Sequence, residues 1–270
     1  MARVAECLYN AGAAFVVFHE VMANLTVAVV EKCREYAESI KADFLVAVGG
    51  GSPIDTAKAA GILLTNGGKV QDYEGVGKSS RLSLPLIVVN TTAGTGSEVT
   101  NFYIITDEIK HSKMCMVDDN CIPVIAVNDS GMMLTMPKGL TAATGMDALT
   151  HSIEALMSKS RNPLSDKDAM WAVSVIFDYL PRAYVNGGDI EARDYMACAA
   201  NIAGMAFSNS GLGLVHAMAH SLGGFYNLPN GLCNAILLPW VMRFNSRYPV
   251  THNIYKNIYK AIYKKRTYQQ

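Results

Sequence analysis

The chain has 270 residues, 50% of them hydrophobic, which is enough apolar material for one large core or two ordinary ones. Its 23 basic and 23 acidic side chains give a formal net charge of zero, without a long run of either sign. This balance excludes the basic surface that nucleic acids and anionic membranes require. We therefore expect no nucleic-acid or membrane partner and favour a small-molecule one.

The amino-terminal segment lacks the features of a targeting signal. Glu6 and Asn10 interrupt it where a signal peptide needs a continuous apolar run, and no stretch approaches the roughly 18 apolar residues of a membrane span. We therefore expect a cytoplasmic protein. The six cysteines include no CxxC pair, which argues against a disulfide framework or a zinc ribbon.

Short β-branched runs alternate with helical patterns up to about residue 136, as in an α/β fold. Strands are predicted at residues 14–18, 43–48, 84–90, 102–106, 114–117 and 124–127. Apolar residues at helical spacing between 25 and 40 predict a helix that joins the first two strands, a unit typical of parallel sheets. Residues 105–114 predict instead the turn of an antiparallel hairpin.

The second half of the chain has a helical pattern. After Pro137 the apolar residues recur at intervals of three and four, and we place the boundary between the two halves near residues 134–140. The last residues, 250–270, are rich in tyrosine and lysine and show little apolar periodicity. We expect this tail to be frayed or foreign to the domain.

A glycine-rich turn follows the predicted strand at 43–48. It has glycine at positions 49–51, then Ser52 as the expected N-cap and Pro53 at the expected first position of a helix with Asp55 in its first turn. Unpaired N–H groups at the positive end of a helix bind phosphate. The pattern is neither GxGxxG nor a Walker loop, so a tight strand-to-helix turn without a ligand is an equally good interpretation.

A second polar loop, residues 90–101, follows the next predicted strand and contains threonines, a serine and two glycines. The carboxyl ends of neighbouring parallel strands are where α/β sheets bind ligands. Such loops are common, and this one alone is also consistent with an ordinary connection. Two polar loops after neighbouring strands favour a binding site for both.

Two candidate metal-binding faces lie in the helical half. Asp147 and His151 are four residues apart and share one face of a helix, and His216 and His220 repeat that spacing. A hydrogen bond between Asp147 and His151 on a helix surface is the simpler interpretation of the first pair. A zinc hydrolase would need Glu directly after His216, where Ala217 stands. Asp147, His151 and His216 together suit Fe(II) or Zn(II).

These segments together resemble one known family. The series GGGSPIDTAKA, NTTAGTGSEVT, LTAATGMDALTHSIEA, GLGLVHAMAHSLGGFYNLPNG and NAILLP is similar to the iron-containing (group III) alcohol dehydrogenases, in register from about residue 12 to about residue 245. The resemblance implies an α/β fold: a Rossmann-like dinucleotide-binding domain, placed at 1–136, followed by an all-helical metal-binding domain, placed at 137–270, in a dehydroquinate synthase-like architecture. The active site would lie in the cleft between them.

The resemblance also implies roles for individual residues around NAD or NADP and around a metal ion. The cofactor residues are Gly49, Gly50, Gly51 and Ser52 for the pyrophosphate, Asp55 in the same turn, the lining residues Thr91, Thr92 and Thr95, and Lys113 near the ribose. The metal, Fe(II) with Zn(II) as the alternative, is expected on Asp147, His151 and His216. His220 would face the nicotinamide and the substrate as a proton relay.

The chain departs from the family at the fourth metal ligand. The family has histidine in a PHG motif where this sequence has Asn230 between Pro229 and Gly231. An amide oxygen coordinates divalent ions but is a poorer donor than imidazole to Fe(II) or Zn(II), so we expect weaker metal binding. The family's first strand and later helices are also expected to lie outside this chain, which would make it a fragment whose choice of NAD or NADP is not legible.

Three functions stay open at this point. The resemblance implies a metal-dependent, NAD(P)-linked alcohol dehydrogenase that interconverts a primary alcohol or diol and its aldehyde, and it implies a homodimer. A catalytically impaired or inactive fragment of such an enzyme is the first alternative, supported by Asn230. A glycerol dehydrogenase-like or dehydroquinate synthase-like zinc enzyme is the second, and the motif at residues 145–155 disfavours it.

Overall fold

The computed structural model describes residues 2–23, 25–226 and 228–267, with side chains described as far as residue 263. Its helices are α1 (Ala2–Asn10), α2 (Val27–Ser39), α3 (Gly51–Asn66), α4 (Lys138–Met157), α5 (Pro163–Val185), α6 (Ile190–Ser208), α7 (Leu214–Tyr226), α8 (Asn230–Asn245) and α9 (Pro249–Thr267). Its strands are β1 (Leu45–Gly49), β2 (Gly75–Val76), β3 (Leu86–Asn90), β4 (Phe102–Asp107), β5 (Ser112–Val117) and β6 (Ile125–Val127).

The first sheet carries the two polar loops. Its order is β1-β3-β6 and its pairs are parallel, with Gly49 opposite Asn90. Parallel strands need a crossover connection, and α3 lies in the one between β1 and β3. Apolar side chains such as Val88 of β3 and Ile54 of α3 are buried between the sheet and this helix. Because β1 and β3 end at the same edge, the loops that follow them lie side by side.

The second sheet is a hairpin with one short added strand. β4 and β5 pair antiparallel, with Phe102 opposite Val117, which confirms the hairpin predicted at residues 105–114. β2 joins β5 in parallel, so the order is β2-β5-β4. Met114 and Met116 turn inward onto a core that includes residues of α2 and α3. This packing fixes the hairpin beside the helix that follows the glycine turn.

The helical part of the chain is a bundle with small residues at its centre. α4, α5 and α6 pack on one another, α8 packs on α4, and α9 packs on α5. Buried alanines, including Ala148, Ala172 and Ala199, let these helices approach closely. None of the described helices combines the length and the apolar character needed to cross a bilayer. The predicted α/β class, with helices after the sheets, is confirmed.

The strand predicted at residues 14–18 is not formed. The segment lies outside any helix or strand, and Phe15, Val16 and Val17 are exposed. A groove of about 720 Å³ lies between this segment and β1, whose ladder among the described residues is with β3. Strand-type residues form a strand only when a neighbouring strand accepts their hydrogen bonds, so composition alone misled this prediction.

The carboxyl-terminal tail is a packed helix, so the expectation of a frayed or foreign segment is wrong for its described part. Ile254, Ile258 and Ile262 of α9 are 8%, 5% and 7% exposed and belong to the helical core. They recur every four residues, a helical spacing that the interleaved tyrosines and lysines obscured. Residues 268–270 lie outside the described part of the chain.

Candidate active site

A cavity of about 440 Å³ joins the two halves of the chain. It lies between the loops after β1 and β3, the hairpin, and helices α4, α7 and α8. Most of the residues singled out from the sequence line it, namely Gly50, Gly51, Ser52, Asp55, Thr92, Thr95, Lys113, Asp147, His151, His216, His220 and Asn230. Gly49 and Thr91 do not. Instead, the N–H of Thr91 donates to the carbonyl of Gly49 (3.0 Å) and ties the two loops together.

The two polar loops touch through their glycines. A Cβ added to Gly50 would lie 2.7 Å from Oγ1 of Thr92, and one added to Gly51 would lie 3.0 Å from Cγ2 of Thr95. Neither position has room for a side chain while the loops keep this contact. The helix begins at Gly51 with Gly50 as its N-cap, so the expectation that Ser52 is the cap is wrong. Glycine takes the cap position because only a residue without Cβ fits against Thr92.

Asp55 and Lys58 of α3 clamp the second loop and the strand after it. Asp55 accepts hydrogen bonds from Oγ of Ser97 (2.5 Å) and from the N–H of Ile104 (2.9 Å). Lys58 is fully buried and donates through Nζ to the carbonyl of Thr100 (2.7 Å). Burial raises the pKa of Asp55, although the charge of Lys58 opposes this. Both carboxylate oxygens of Asp55 thus accept hydrogen bonds from the protein, and the residue also borders the cavity.

Three of the predicted metal ligands converge on the other side of the cavity. Asp147 and His151 lie one turn apart on α4, and His216 lies near the start of α7. One ligand atom of each lies within 4.8 Å of the others, and all three side chains are buried. The rings of His151 and His216 stack with their centroids 4.6 Å apart. A carboxylate and two imidazoles at these separations suit a divalent transition metal.

Glu154, which the sequence analysis did not single out, fixes the orientation of His216. Its Oε2 lies 2.6 Å from Nδ1 of His216, and its Oε1 accepts the N–H of Val215 (2.6 Å). Nε2 of His216 is therefore the nitrogen that faces Asp147, 3.7 Å away. A carboxylate behind an imidazole sets the tautomer of metal-binding histidines. Its signal in the sequence is helical spacing, because Glu154 follows Asp147 and His151 on one face of α4.

Two asparagines at the start of α8 complete the cluster. Asn230 and Asn234 both donate through Nδ2 to Oδ1 of Asp147, at 3.1 and 2.6 Å. Gly231 brings them there, since a side chain at this position would overlap the carbonyl of Ala143 and hold α8 away from α4. Asn234 was not predicted from the sequence, although it follows Asn230 by one helical turn.

Buried polar atoms without hydrogen-bond partners mark the same place. Of those found in the described residues, three belong to this cluster, Nδ1 of His151, Oδ1 of Asn230 and Oδ1 of Asn234. Buried polar atoms normally find a partner, so the two whose side chains border the cavity, on His151 and Asn230, indicate a group that the protein does not itself supply. The residues fit a divalent cation, because the Asn230 amide needs only to turn over to present its oxygen in place of its nitrogen.

Opposite charges dominate the titration of the cluster. Burial alone would lower the pKa of His216, but hydrogen bonds and ion pairing with Asp147 and Glu154 raise it to about 9. Burial would likewise raise the pKa of Asp147, yet the neighbouring histidines and Asn234 lower it to about 2. For His151, burial prevails over the charge of Asp147 and lowers the pKa to about 4. His216 therefore carries a proton at neutral pH, which a bound cation would displace.

His220 and Lys113 line the cavity between its two sides. His220 lies one turn after His216 on α7, with the ring centroids 6.0 Å apart. Burial, together with the charges of His216 and Lys113, lowers the pKa of His220 to about 4, so its imidazole is neutral. Burial also lowers the pKa of Lys113, which β5 carries into the cavity. A neutral imidazole is able to accept a hydroxyl proton, and a lysine attracts an anion.

Comparison with known families accounts for this arrangement. Residues 1–130 match the family described as iron-containing alcohol dehydrogenase, and residues 141–270 match the family described as Fe-containing alcohol dehydrogenase, C-terminal. The chain belongs to the iron-containing alcohol dehydrogenase family. The resemblance found in the sequence motifs is thereby confirmed.

Individual members of the iron-containing alcohol dehydrogenase family agree with this. The chain is 53% identical over 229 residues to alcohol dehydrogenase 4 of Schizosaccharomyces pombe, covering 85% of the chain and 54% of that protein. It is 44% identical over 250 residues to lactaldehyde reductase of Escherichia coli, covering 92% and 65%. The crystal structure of 1,3-propanediol oxidoreductase superimposes with a TM-score of 0.93 at 40% identity, covering 97% of this chain and 68% of that one. The chain thus spans about half to two thirds of the length of its curated relatives.

Proposed function

We propose that this chain carries the dinucleotide-binding and metal-binding parts of an NAD(P)-linked alcohol dehydrogenase that interconverts a small primary alcohol or diol and its aldehyde. The observation that carries the proposal is the cavity shared by the glycine turn and the Asp147, His151 and His216 cluster. Hydride transfer needs the nicotinamide and the alcohol carbon to be held against each other, which a shared cavity allows. Relatives named lactaldehyde reductase and 1,3-propanediol dehydrogenase support small alcohols and aldehydes as substrates.

The dinucleotide would lie on the α/β side, in a domain of residues 1–136 that faces a helical domain of residues 137–270. The turn at residues 49–52 would take the pyrophosphate, because the amino terminus of α3 is positive and the glycines let the phosphates approach the backbone. Threonines 91, 92 and 95 would line the cofactor, and Lys113 would approach its ribose. Asp55 supports this side by holding the second loop in place.

The metal side would be formed by Asp147, His151, His216 and Asn230. A divalent ion bound there, Fe(II) or Zn(II), supplies Lewis-acid stabilisation of the negative charge that develops on the substrate oxygen. Glu154 holds His216 so that Nε2 faces Asp147. The neutral imidazole of His220 would accept the hydroxyl proton of the alcohol and return it to the aldehyde oxygen in the reverse direction.

An absorbance assay tests the proposal. With Fe(II) or Zn(II) supplied, the chain is expected to form NADH or NADPH from at least one of ethanol, 1,2-propanediol, 1,3-propanediol and butanol. Asp147→Asn is expected to abolish the signal. Metal analysis of the purified protein, compared with the turnover obtained with each ion, decides between iron and zinc. Absence of turnover with all four alcohols, both ions and both cofactors would overturn the assignment as an active dehydrogenase.

We propose further that Asn230 weakens the metal site. Its neutral amide oxygen is a poorer donor to Fe(II) or Zn(II) than the imidazole that the family resemblance implies at this position. Asn230→His is expected to retain more metal after dialysis than the unaltered chain, and Asn230→Ala to retain the least. Equal metal content in the unaltered chain and in Asn230→His would overturn this part of the proposal.

A catalytically impaired relative is the second candidate, and Asn230 is the observation that favours it. Such a protein would bind the dinucleotide on the glycine turn without turning over an alcohol. Calorimetric titration with NADH, combined with the absorbance assay, separates the two candidates. Binding without turnover in the unaltered chain, together with turnover in Asn230→His, would decide for the impaired protein.

A homodimer, which the family resemblance implies, is also part of the proposal. Large apolar side chains exposed on α8, such as Ile236 and Trp240, support self-association. Sedimentation velocity of the purified chain is expected to give a dimer. A monomer over the whole concentration range would contradict this expectation.

A further inference from the structure

Asn234 touches two residues of the metal-binding cluster and yet is shut off from the cavity. Its side chain is completely buried, at 0% exposure, and it is not among the residues that line the cavity, which Asn230 reaches. Its Nδ2 lies 2.6 Å from Oδ1 of Asp147 and 3.0 Å from Nε2 of His216. One amide group on α8 therefore joins a carboxylate on α4 to an imidazole on α7.

We propose that Asn234 is a positioning residue, which presents Asp147 to the divalent cation as a hydrogen-bond donor and not as a ligand. The inference rests on the metal-binding function proposed above. The amide nitrogen donates to the Asp147 carboxylate and offers no lone pair, so it does not coordinate a cation. Its place behind the ligands, away from the cavity, agrees with that role.

Glu154 and Asn234 support different ligands. Glu154 lies 2.6 Å from Nδ1 of His216 and leaves Nε2 for the cation, whereas Asn234 donates to Oδ1 of Asp147 at 2.6 Å and lies 3.0 Å from Nε2 of His216. When Nε2 binds a cation, Asn234 keeps its shorter contact with Oδ1 of Asp147. That contact fixes the rotation of the carboxylate before the cation arrives, which lowers the cost of ordering the ligands.

Asn230 serves as an internal comparison for this role. It donates to the same oxygen of Asp147 at the longer distance of 3.1 Å, and its side chain lines the cavity. Its amide is therefore placed to turn over and present Oδ1 to a cation, whereas that of Asn234 holds Asp147 from behind. Of these two asparagines one helical turn apart, Asn230 is the proposed ligand and Asn234 the positioning residue.

Metal affinity of the full chain tests the inference. We measure Zn²⁺ affinity by competition with a chromophoric chelator, and the ligand field by the visible absorption of bound Co²⁺. Asn234→Ala is expected to weaken Zn²⁺ binding by about 10- to 100-fold, the range typical of lost outer-shell partners, and to shift the Co²⁺ bands. Asn234→Leu keeps about the size of the side chain but removes the donor without adding charge, and is expected to weaken binding as much.

A matched control is Asn201→Ala, because Asn201 also donates through Nδ2 to a partly satisfied buried carboxylate, Oε1 of Glu98 (3.1 Å), but contacts none of the ligands. It is expected to leave Zn²⁺ affinity and the Co²⁺ spectrum unchanged. Unchanged Zn²⁺ affinity in Asn234→Ala or in Asn234→Leu would overturn the inference.

Folding is checked by circular dichroism. If both Asn234 variants unfold while Asn201→Ala folds, the inference is overturned, because Asn234 would then serve the helical core and not the ligands. Failure of the unaltered chain to bind either ion would instead overturn the proposed metal-binding function, and this inference with it. The two failures are therefore distinguished before any variant is compared.

Discussion

The two sides of the cavity are built from different materials. On the proposed dinucleotide side the chain contributes backbone, through the turn at residues 49–51 and the short hydroxyl side chains that pack against it. On the proposed metal side it contributes buried side chains, each held by another, as Glu154 holds His216 and Asn234 holds Asp147. Binding on the first side is expected to depend on the space left by the glycines, and binding on the second on the charges of the buried side chains. We therefore expect the two binding abilities to be lost separately.

Removal of the Asp147 carboxylate is expected to have the largest effect. Asp147→Asn keeps the size of the side chain but removes its charge, and we expect Zn²⁺ affinity to fall by more than about 100-fold, beyond the loss typical of an outer-shell partner. NAD⁺ affinity, measured by calorimetry, is expected to stay unchanged. Asp166→Asn, at a surface pair with Arg161, is the control. Joint loss of both ligands would break the comparison between the two sides.

Neutralising the carboxylate behind His216 is expected to have the next largest effect. Glu154→Gln keeps an oxygen near the ring but removes the charge that sets its tautomer, so Zn²⁺ affinity is expected to fall by about 10- to 100-fold. Glu191→Gln changes a carboxylate that pairs with Arg182 at the surface and is expected to change nothing. Equal affinities in the two variants would show that His216 needs no support from Glu154.

The metal side is also expected to depend on pH. Asp147 and Glu154 raise the pKa of His216 to about 9, so below that value a cation has to displace a proton. Zn²⁺ affinity is therefore expected to fall about tenfold per unit as the pH is lowered from about 8.5 to about 6.5. Asp147, with a pKa of about 2, stays ionised and adds no slope. Constant affinity over this range would show that His216 does not hold a proton there.

Filling the contact between the two loops is expected to have the smallest of these effects. Gly50→Val places a side chain where Oγ1 of Thr92 lies 2.7 Å from the Cβ position, so the loops must separate. We expect NAD⁺ affinity to fall about tenfold, equal to about 1.4 kcal/mol, with Zn²⁺ affinity unchanged. Gly139→Val, on α4 with open space around it, is the matched control. A loss of Zn²⁺ affinity in Gly50→Val would mean that the two sides are coupled.

The sequence predicted the local parts of this site better than the long-range parts. Spacing alone places Asp147 and His151 on one face, and strand-to-helix chemistry places the glycine turn. Nothing in spacing says that His216, far along the chain, meets them; that expectation came from the ligand chemistry of the three side chains and from the family resemblance. Glu154 and Asn234 were missed because their roles depend on which helices pack together. Each nevertheless lies one helical turn from a predicted residue, Glu154 after His151 and Asn234 after Asn230.

The two errors in the fold have a common physical origin. Residues 14–18 have the composition of a strand, but β1 lies across a groove from them and provides no ladder. Residues 250–263 have the composition of a solvated tail, but Ile254 and Ile258 pack on the helical core. In both cases the structure of the segment depends on the strand or helix beside it, and the local sequence does not reveal which element that is.

The close approach of Gly231 to Ala143 makes this chain suited to protein engineering. Gly231 lets the first turn of α8 lie directly against the main chain of α4, so we expect its position to depend little on the side chain at residue 230. If Asn230 is replaced by histidine, aspartate or glutamine, we expect the Cα of residue 230 to keep its position. Residue 230 is therefore a position where the proposed metal donor is exchanged while the surrounding helices keep their arrangement.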